Sequence, residues 1–211
     1  MQLQIIEEKK VIAILRNLPD AQISPVIESL HDSGIDLVEI AFNRFKSAQD
    51  NANRIQRAVN LGIPNMHIGA GTVLTVEGVD KAADAGAEFI LSPNTVDEVI
   101  GESKRLGLIS VPAALSPSEI WRAYELGADI VKVFPASSLG PHYFKEILSP
   151  LPGIPLSAVG GVDVNNARQF LDAGAFCLGI GSALFPRNKE GVVDAELVRK
   201  QAEELLGTVN S

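Results

Sequence analysis

The sequence predicts an α/β protein of the (β/α)8 (TIM) barrel class, one domain over residues 1–211, with a short extra helix ahead of the first strand. Two observations carry this. Short apolar runs alternate with longer segments of helical period eight times, and the repeat of about 26 residues is what a minimal barrel requires. The composition, 46% hydrophobic with only 5% aromatic, requires a core of Val, Ile, Leu and Ala, as in parallel strands covered on both faces. A doubly wound open sheet shares the alternation but usually has fewer strands, and no Gly-rich fingerprint opens this chain.

The strands are expected, in order, at VIAILR (11–16), DLVEIAF (36–42), MHIGAGTV (66–73), FILSP (89–93), LISVPAA (108–114), DIVKVFPA (129–136), PLSAVGGV (155–162) and FCLGIGSALF (176–185). Between them, segments such as AQISPVIESLHDSG and NNARQFLDAGA repeat apolar residues every three or four positions, the pattern of amphipathic helices. Gly34, Gly86, Gly127 and Gly174 each close such a segment just before a strand, as C-terminal helix caps do. Residues 1–10 read as a helix over the bottom of the barrel, and Pro141 as the first residue of a helix. No composition shift marks a linker.

Eighteen Lys and Arg against 26 Asp and Glu give a net charge of −8, which argues against a general nucleic-acid or anionic-membrane surface. An anionic ligand then needs a local site. No apolar run approaches the ~20 residues that cross a bilayer. The single Cys177 cannot form an intramolecular disulfide and reads as a small buried hydrophobe. A cytoplasmic location is the simplest expectation.

Barrel enzymes assemble their sites at the C-terminal ends of the strands. Lys132 interrupts an apolar strand and shares a face with Ile130 and Phe134, and burial there lowers an amine's pKa and makes it nucleophilic. The plainer alternative is a lysine neutralised by a carboxylate. Glu39 faces inward with Leu37, Ala41 and Asn43 and supplies a proton-transfer group, or a partner for a cation. Arg16 ends the first strand, where its planar fork suits a carboxylate or a rim ion pair. Thr72 closes the third strand, where Gly69 and Gly71 are expected to leave room for ligand beside its hydroxyl. Gly160-Gly161 and Gly181-Ser182 follow the seventh and eighth strands, the usual place of a barrel's phosphate cradle. Ser137 and Ser138 either touch a ligand or cap the next helix. The three histidines do not fall together at strand ends and no dinucleotide site is visible, so neither metal nor cofactor is expected.

The motifs VEIAFN, GAGTV, LSPN, VKVFPASSLGP, SAVGGV and GIGS, in this order and over nearly the whole chain, resemble the class I aldolases of 2-keto-3-deoxy-6-phospho sugar acids, the KHG/KDPG aldolase family. The resemblance implies a Schiff-base lysine at Lys132, an acid/base glutamate at Glu39, a substrate-contacting threonine at Thr72, and phosphate-binding turns at Gly160, Gly161, Gly181 and Ser182; Arg16, Asn43, Phe134 and Ser137 are the further substrate contacts expected. Asn43 stands where phosphogluconate-type members usually carry arginine, and this looks more like the 2-dehydro-3-deoxy-6-phosphogalactonate branch. The implied reaction yields pyruvate and glyceraldehyde 3-phosphate, with a phosphorylated keto acid as partner and a homotrimer as assembly. The alternatives are an aldolase for 4-hydroxy-2-oxoglutarate or an unphosphorylated keto acid, and a phosphosugar isomerase or a non-catalytic phosphate-binding barrel.

Overall fold

The computed structural model describes residues 1–188 and 191–211. Among these, strands β1 (Val11–Leu15), β2 (Leu37–Ala41), β3 (His67–Gly71), β4 (Phe89–Leu91), β5 (Ile109–Val111), β6 (Ala113–Ala114), β7 (Val131–Val133), β8 (Leu156–Val159) and β9 (Cys177–Ile180) form one sheet, in the order β5-β4-β3-β2-β1-β9-β8-β7-β6. Every pair of neighbours in that order is parallel. The two ends of that order are the two halves of the run expected as a single strand, 108–114. Pro112 splits it because a proline has no N–H to give to a ladder. Its carbonyl still accepts the Lys132 N–H at 2.8 Å, so the ring closes through the chain at Pro112 and the expected barrel is present.

The helices are α1 (Leu3–Lys9), α2 (Ile23–Asp32), α3 (Ala48–Val59), α4 (Val76–Asp84), α5 (Asp97–Arg105), α6 (Pro117–Glu125), α7 (Ala136–Leu148), α8 (Ala167–Asp172) and α9 (Ala195–Val209). Their starts follow local chemistry. Ser47 and Asp50 form a capping box on α3, and Ser116 and Glu119 form another on α6 with Pro117 in the first turn. The ends follow glycine: Gly34, Gly86, Gly127 and Gly174 have φ of +95°, +90°, +96° and +99°. The next residue then donates back to the helix, as in Ile35 N to Leu30 O and Ala87 N to Ala82 O, both 2.9 Å. The eighth apolar run is shorter as a strand than expected, because after Ile180 the chain turns into a 3-10 segment, Ser182–Leu184.

Two apolar layers result. Val38, Ile40, Ala70, Val131 and Leu178 meet the helices outside the barrel. Ile12, Leu37, Phe89, Leu91, Ile109, Val111, Ile130 and Cys177 fill its interior, and Ile6 of α1 joins them from below. The first helix is thus the plug expected at the bottom, held there also by Lys9 on Asp36 at 2.5 Å. Truncating a ring such as Phe89 in this interior costs about 3–5 kcal/mol. With the lower end filled, the described residues leave the barrel open at the C-terminal ends of the strands.

Candidate active site

The inner face of the barrel carries two charges just above its apolar filling. Glu39 on β2 and Lys132 on β7 are 1% and 5% exposed. Burial raises the pKa of the Glu39 carboxyl, opposed by the positive charges of Lys132 and Arg16. Burial also lowers that of the Lys132 amine; Glu39 opposes the shift and Arg16 adds to it. Burial disfavours the charge on each group while each charge supports the other, an arrangement that suits a nucleophilic amine and a proton-transfer group. Among the described residues Lys132 makes no ion pair within 4.0 Å, and the buried Glu39 Oε2 has no hydrogen-bond partner. A buried carboxylate oxygen without a partner is a costly arrangement unless something else uses it.

The glycines of β3 do a different job from the one expected. A Cβ on Gly71 would stand 1.5 Å from Glu39 Oε1, and one on Gly69 would stand 2.1 Å from the Phe89 ring. The space is filled by protein, and these glycines admit the Glu39 carboxylate and a core ring rather than a ligand beside Thr72. Thr72 itself sits at φ +58°, a left-handed conformation that costs a β-branched residue about 1–3 kcal/mol. Its hydroxyl lies 3.5 Å from Arg16 Nη2.

At the strand ends opens a cavity of about 950 Å³, walled by Arg16, Phe134, Gly160, Gly161, Gly181 and Ser182 among others, while Glu39, Lys132 and Thr72 are not part of its wall. Six of the expected residues therefore share one cavity. Lys132 is reached through Phe134, whose ring centroid lies 5.4 Å from Nζ. The Gly-Gly turn has φ of +94° and +71°; a Cβ on Gly160 would be 3.0 Å from the Phe134 ring, and one on Gly161 would be 2.1 Å from Ser137 Oγ. Both positions need glycine for space and for conformation.

Ser137 and Ser138 make no capping bond: they lie inside α7, which begins at Ala136 and breaks at Gly140 with φ +75° and ψ 168°. The helical turn before Pro141 was not expected, and the capping alternative is thereby removed. Ser137 packs beside Gly161, and its N–H donates to Gly160 O at 3.0 Å. Asn43 lies off the cavity wall, its Oδ1 accepting from Phe45 N at 2.9 Å in a local turn.

Sequence reasoning missed two arginines. Arg54, on α3, is buried and donates to Asp20 Oδ1 at 2.8 Å, Leu18 O at 2.7 Å and Ala41 O at 3.3 Å, tying the loop after Arg16 to the end of the Glu39 strand. Arg187 lines the cavity. Its position just past the eighth-strand Gly-Ser was the available signal. Among the described residues no three His, Cys, Asp or Glu side chains converge to hold a metal ion, and no helix is long and apolar enough to cross a membrane.

Residues 3–200 match the family model described as KDPG and KHG aldolase. The chain is 36% identical to the probable 2-dehydro-3-deoxy-6-phosphogalactonate aldolase of Rhizobium meliloti (strain 1021), over 84% of this chain and 82% of that protein. It is 37% identical to the 2-dehydro-3-deoxy-6-phosphogalactonate aldolase of Escherichia coli (strain K12), over 83% and 84%. A solved structure described as native KDPGal superposes with a TM-score of 0.86 at 34% identity, covering 95% of this chain and 94% of that one.

Proposed function

The chain belongs to the KDPG and KHG aldolase family, and from that membership we propose how its residues perform the reaction. It is a carbon–carbon lyase of the class I type, cleaving a 2-keto-3-deoxy-6-phospho sugar acid to pyruvate and glyceraldehyde 3-phosphate. In this proposal the Lys132 amine adds to the C2 carbonyl and water leaves, giving a protonated imine. The Glu39 carboxylate takes up the C4 hydroxyl proton as the C3–C4 bond breaks. The bonding pair flows into the imine, the aldehyde departs, and an enamine of pyruvate remains on Lys132. Glu39 returns a proton to C3, and hydrolysis of the imine releases pyruvate and the free amine.

The observation that carries this assignment is a buried Lys132 and a buried Glu39 on the inner face of the barrel, each acting on the other's charge, with Phe134 both on the cavity wall and 5.4 Å from the amine. Thr72 and Arg16 serve the keto-acid end, and Phe134 roofs the amine. Gly160, Gly161, Gly181 and Ser182, with Ser137 behind them, present backbone N–H groups to the phosphate. The two glycine turns speak against 4-hydroxy-2-oxoglutarate or an unphosphorylated acid as the main substrate. The names of the two similar proteins favour the galactonate epimer. A homotrimer and a reducing cytoplasm complete the proposal, the latter supported by the free Cys177; its buried thiol is pushed up to about 12.

A coupled assay of pyruvate release on both 6-phosphorylated epimers and the unphosphorylated acids tests the substrate assignment. The phosphogalactonate-type acid is expected to give the highest kcat/KM, by about tenfold or more over either unphosphorylated acid. A preference for the gluconate epimer would overturn the epimer assignment, and a preference for an unphosphorylated acid would overturn the phosphate site.

A further inference from the structure

We infer that Arg187 is a second cationic anchor of this cavity, binding the terminal phosphate of the substrate at the end opposite the one Arg16 serves. The inference rests on the functional reading above, since it needs a phosphorylated keto acid in the cavity. Among the described residues lining it, Arg16 and Arg187 are the only cationic side chains and Asp163 is the one anionic side chain, with Oδ1 accepting from Asn165 N at 2.8 Å. The two arginines do not do the same work. Arg16 is close enough for its charge to act on both Glu39 and Lys132, whereas Arg187 is not among the charges acting on either. One guanidinium therefore belongs to the reacting end and the other to the rim.

The rim guanidinium is held but not neutralised. Nη1 donates to Gly191 O at 2.7 Å, and Nη2 donates to Asn17 O at 3.1 Å and Arg16 O at 3.5 Å. A bridge between Arg187 and Val193 fixes the backbone behind it. Carbonyl oxygens orient a guanidinium without cancelling its charge, and among the described residues no carboxylate lies within 4.0 Å of it. Of its five N–H groups, two have no acceptor among the described residues.

A phosphate monoester brings about −1.5 to −2 charges into a chain already at −8. The Gly160-Gly161 and Gly181-Ser182 turns contribute dipoles but no net charge, and Asp163 repels the incoming anion. A planar, ordered, uncompensated guanidinium beside those turns is the group that meets this need. A ligand with a carboxylate at one end and a phosphate at the other matches a cavity with one arginine for each.

The test compares Arg187→Met and Arg187→Lys with the wild type on the phosphorylated keto acid and on its unphosphorylated counterpart, with exchange of pyruvate methyl protons as a third readout. In Arg187→Met, kcat/KM on the phosphorylated acid is expected to fall about 10- to 100-fold, chiefly through KM, the loss of a charge-assisted contact. The loss is confined to that substrate, and Arg187→Lys recovers part of it. Equal losses on both acids would overturn the inference and make Arg187 a brace for the Arg16 loop. An undiminished preference for the phosphorylated acid would overturn it too. Failure of the functional reading looks different: the wild type would then prefer the unphosphorylated acid or exchange no pyruvate protons.

Discussion

Glu39 and Lys132 shape one another's protonation, so a change in one is visible in the other. The Glu39 carboxylate is the charge that holds the lysine pKa up against burial and Arg16. Removing it in Glu39→Gln lowers the amine's pKa further, and the rise of imine formation with pH moves to lower pH. The same variant still forms the pyruvate imine but exchanges the methyl protons of pyruvate with solvent about 10²-fold more slowly or worse, the usual worth of general acid/base catalysis. Stopped-flow imine formation across pH and exchange followed by NMR check both parts. Unchanged exchange would remove Glu39 from the proton transfers. Both residues were legible in the sequence because each is a lone charge in an apolar strand. Arg54 was not: its partners Leu18, Asp20 and Ala41 come from two other elements, and helical periodicity says nothing of them.

Strand β3 shows how an element can carry a function that its own residues do not display. Gly71 has no chemistry, yet a methyl group there would overlap the Glu39 carboxylate. Gly71→Ala is therefore expected to reproduce the slow exchange of Glu39→Gln, by about 10²-fold, in a protein that retains its circular dichroism. Gly101→Ala is the contrast: it sits in α5 with open space around it, and gains about 0.4–1 kcal/mol, read as a higher Tm. Equal exchange rates in Gly71→Ala and the wild type would contradict the close approach. The glycine pair was visible as a gap in the strand, but what fills the gap is a cross-strand contact that no local pattern encodes. The helix-ending glycines were legible for the opposite reason, since the capping bonds they permit are local. The break at Pro112 was also written in the chain as a proline within a strand run, although the strand was expected to continue through it.

At the scale of the whole molecule, alternation of strands and helices and a core of aliphatic residues were enough to indicate the barrel, because each repeat buries its own strand between helix and interior. Assembly is less legible, as it depends on what the surface exposes. Trp121 and Tyr124 lie on one exposed face of α6, ring centroids 6.2 Å apart, close in sequence to exposed Leu115. Exposed aromatic clusters of this kind mark contact surfaces. Sedimentation is expected to give three times the 22.5 kDa chain mass, and Trp121→Glu to lower it; a monomeric wild type at micromolar concentration would contradict the trimer. The central claim, that the barrel exists to hold one reactive amine, is tested most directly by borohydride reduction in the presence of pyruvate followed by peptide mass mapping. The wild type should lose activity and carry a single reduced pyruvate adduct on Lys132, and Lys132→Met should carry none. An adduct on another lysine, or no adduct in an enzyme that still cleaves its substrate, would contradict the account.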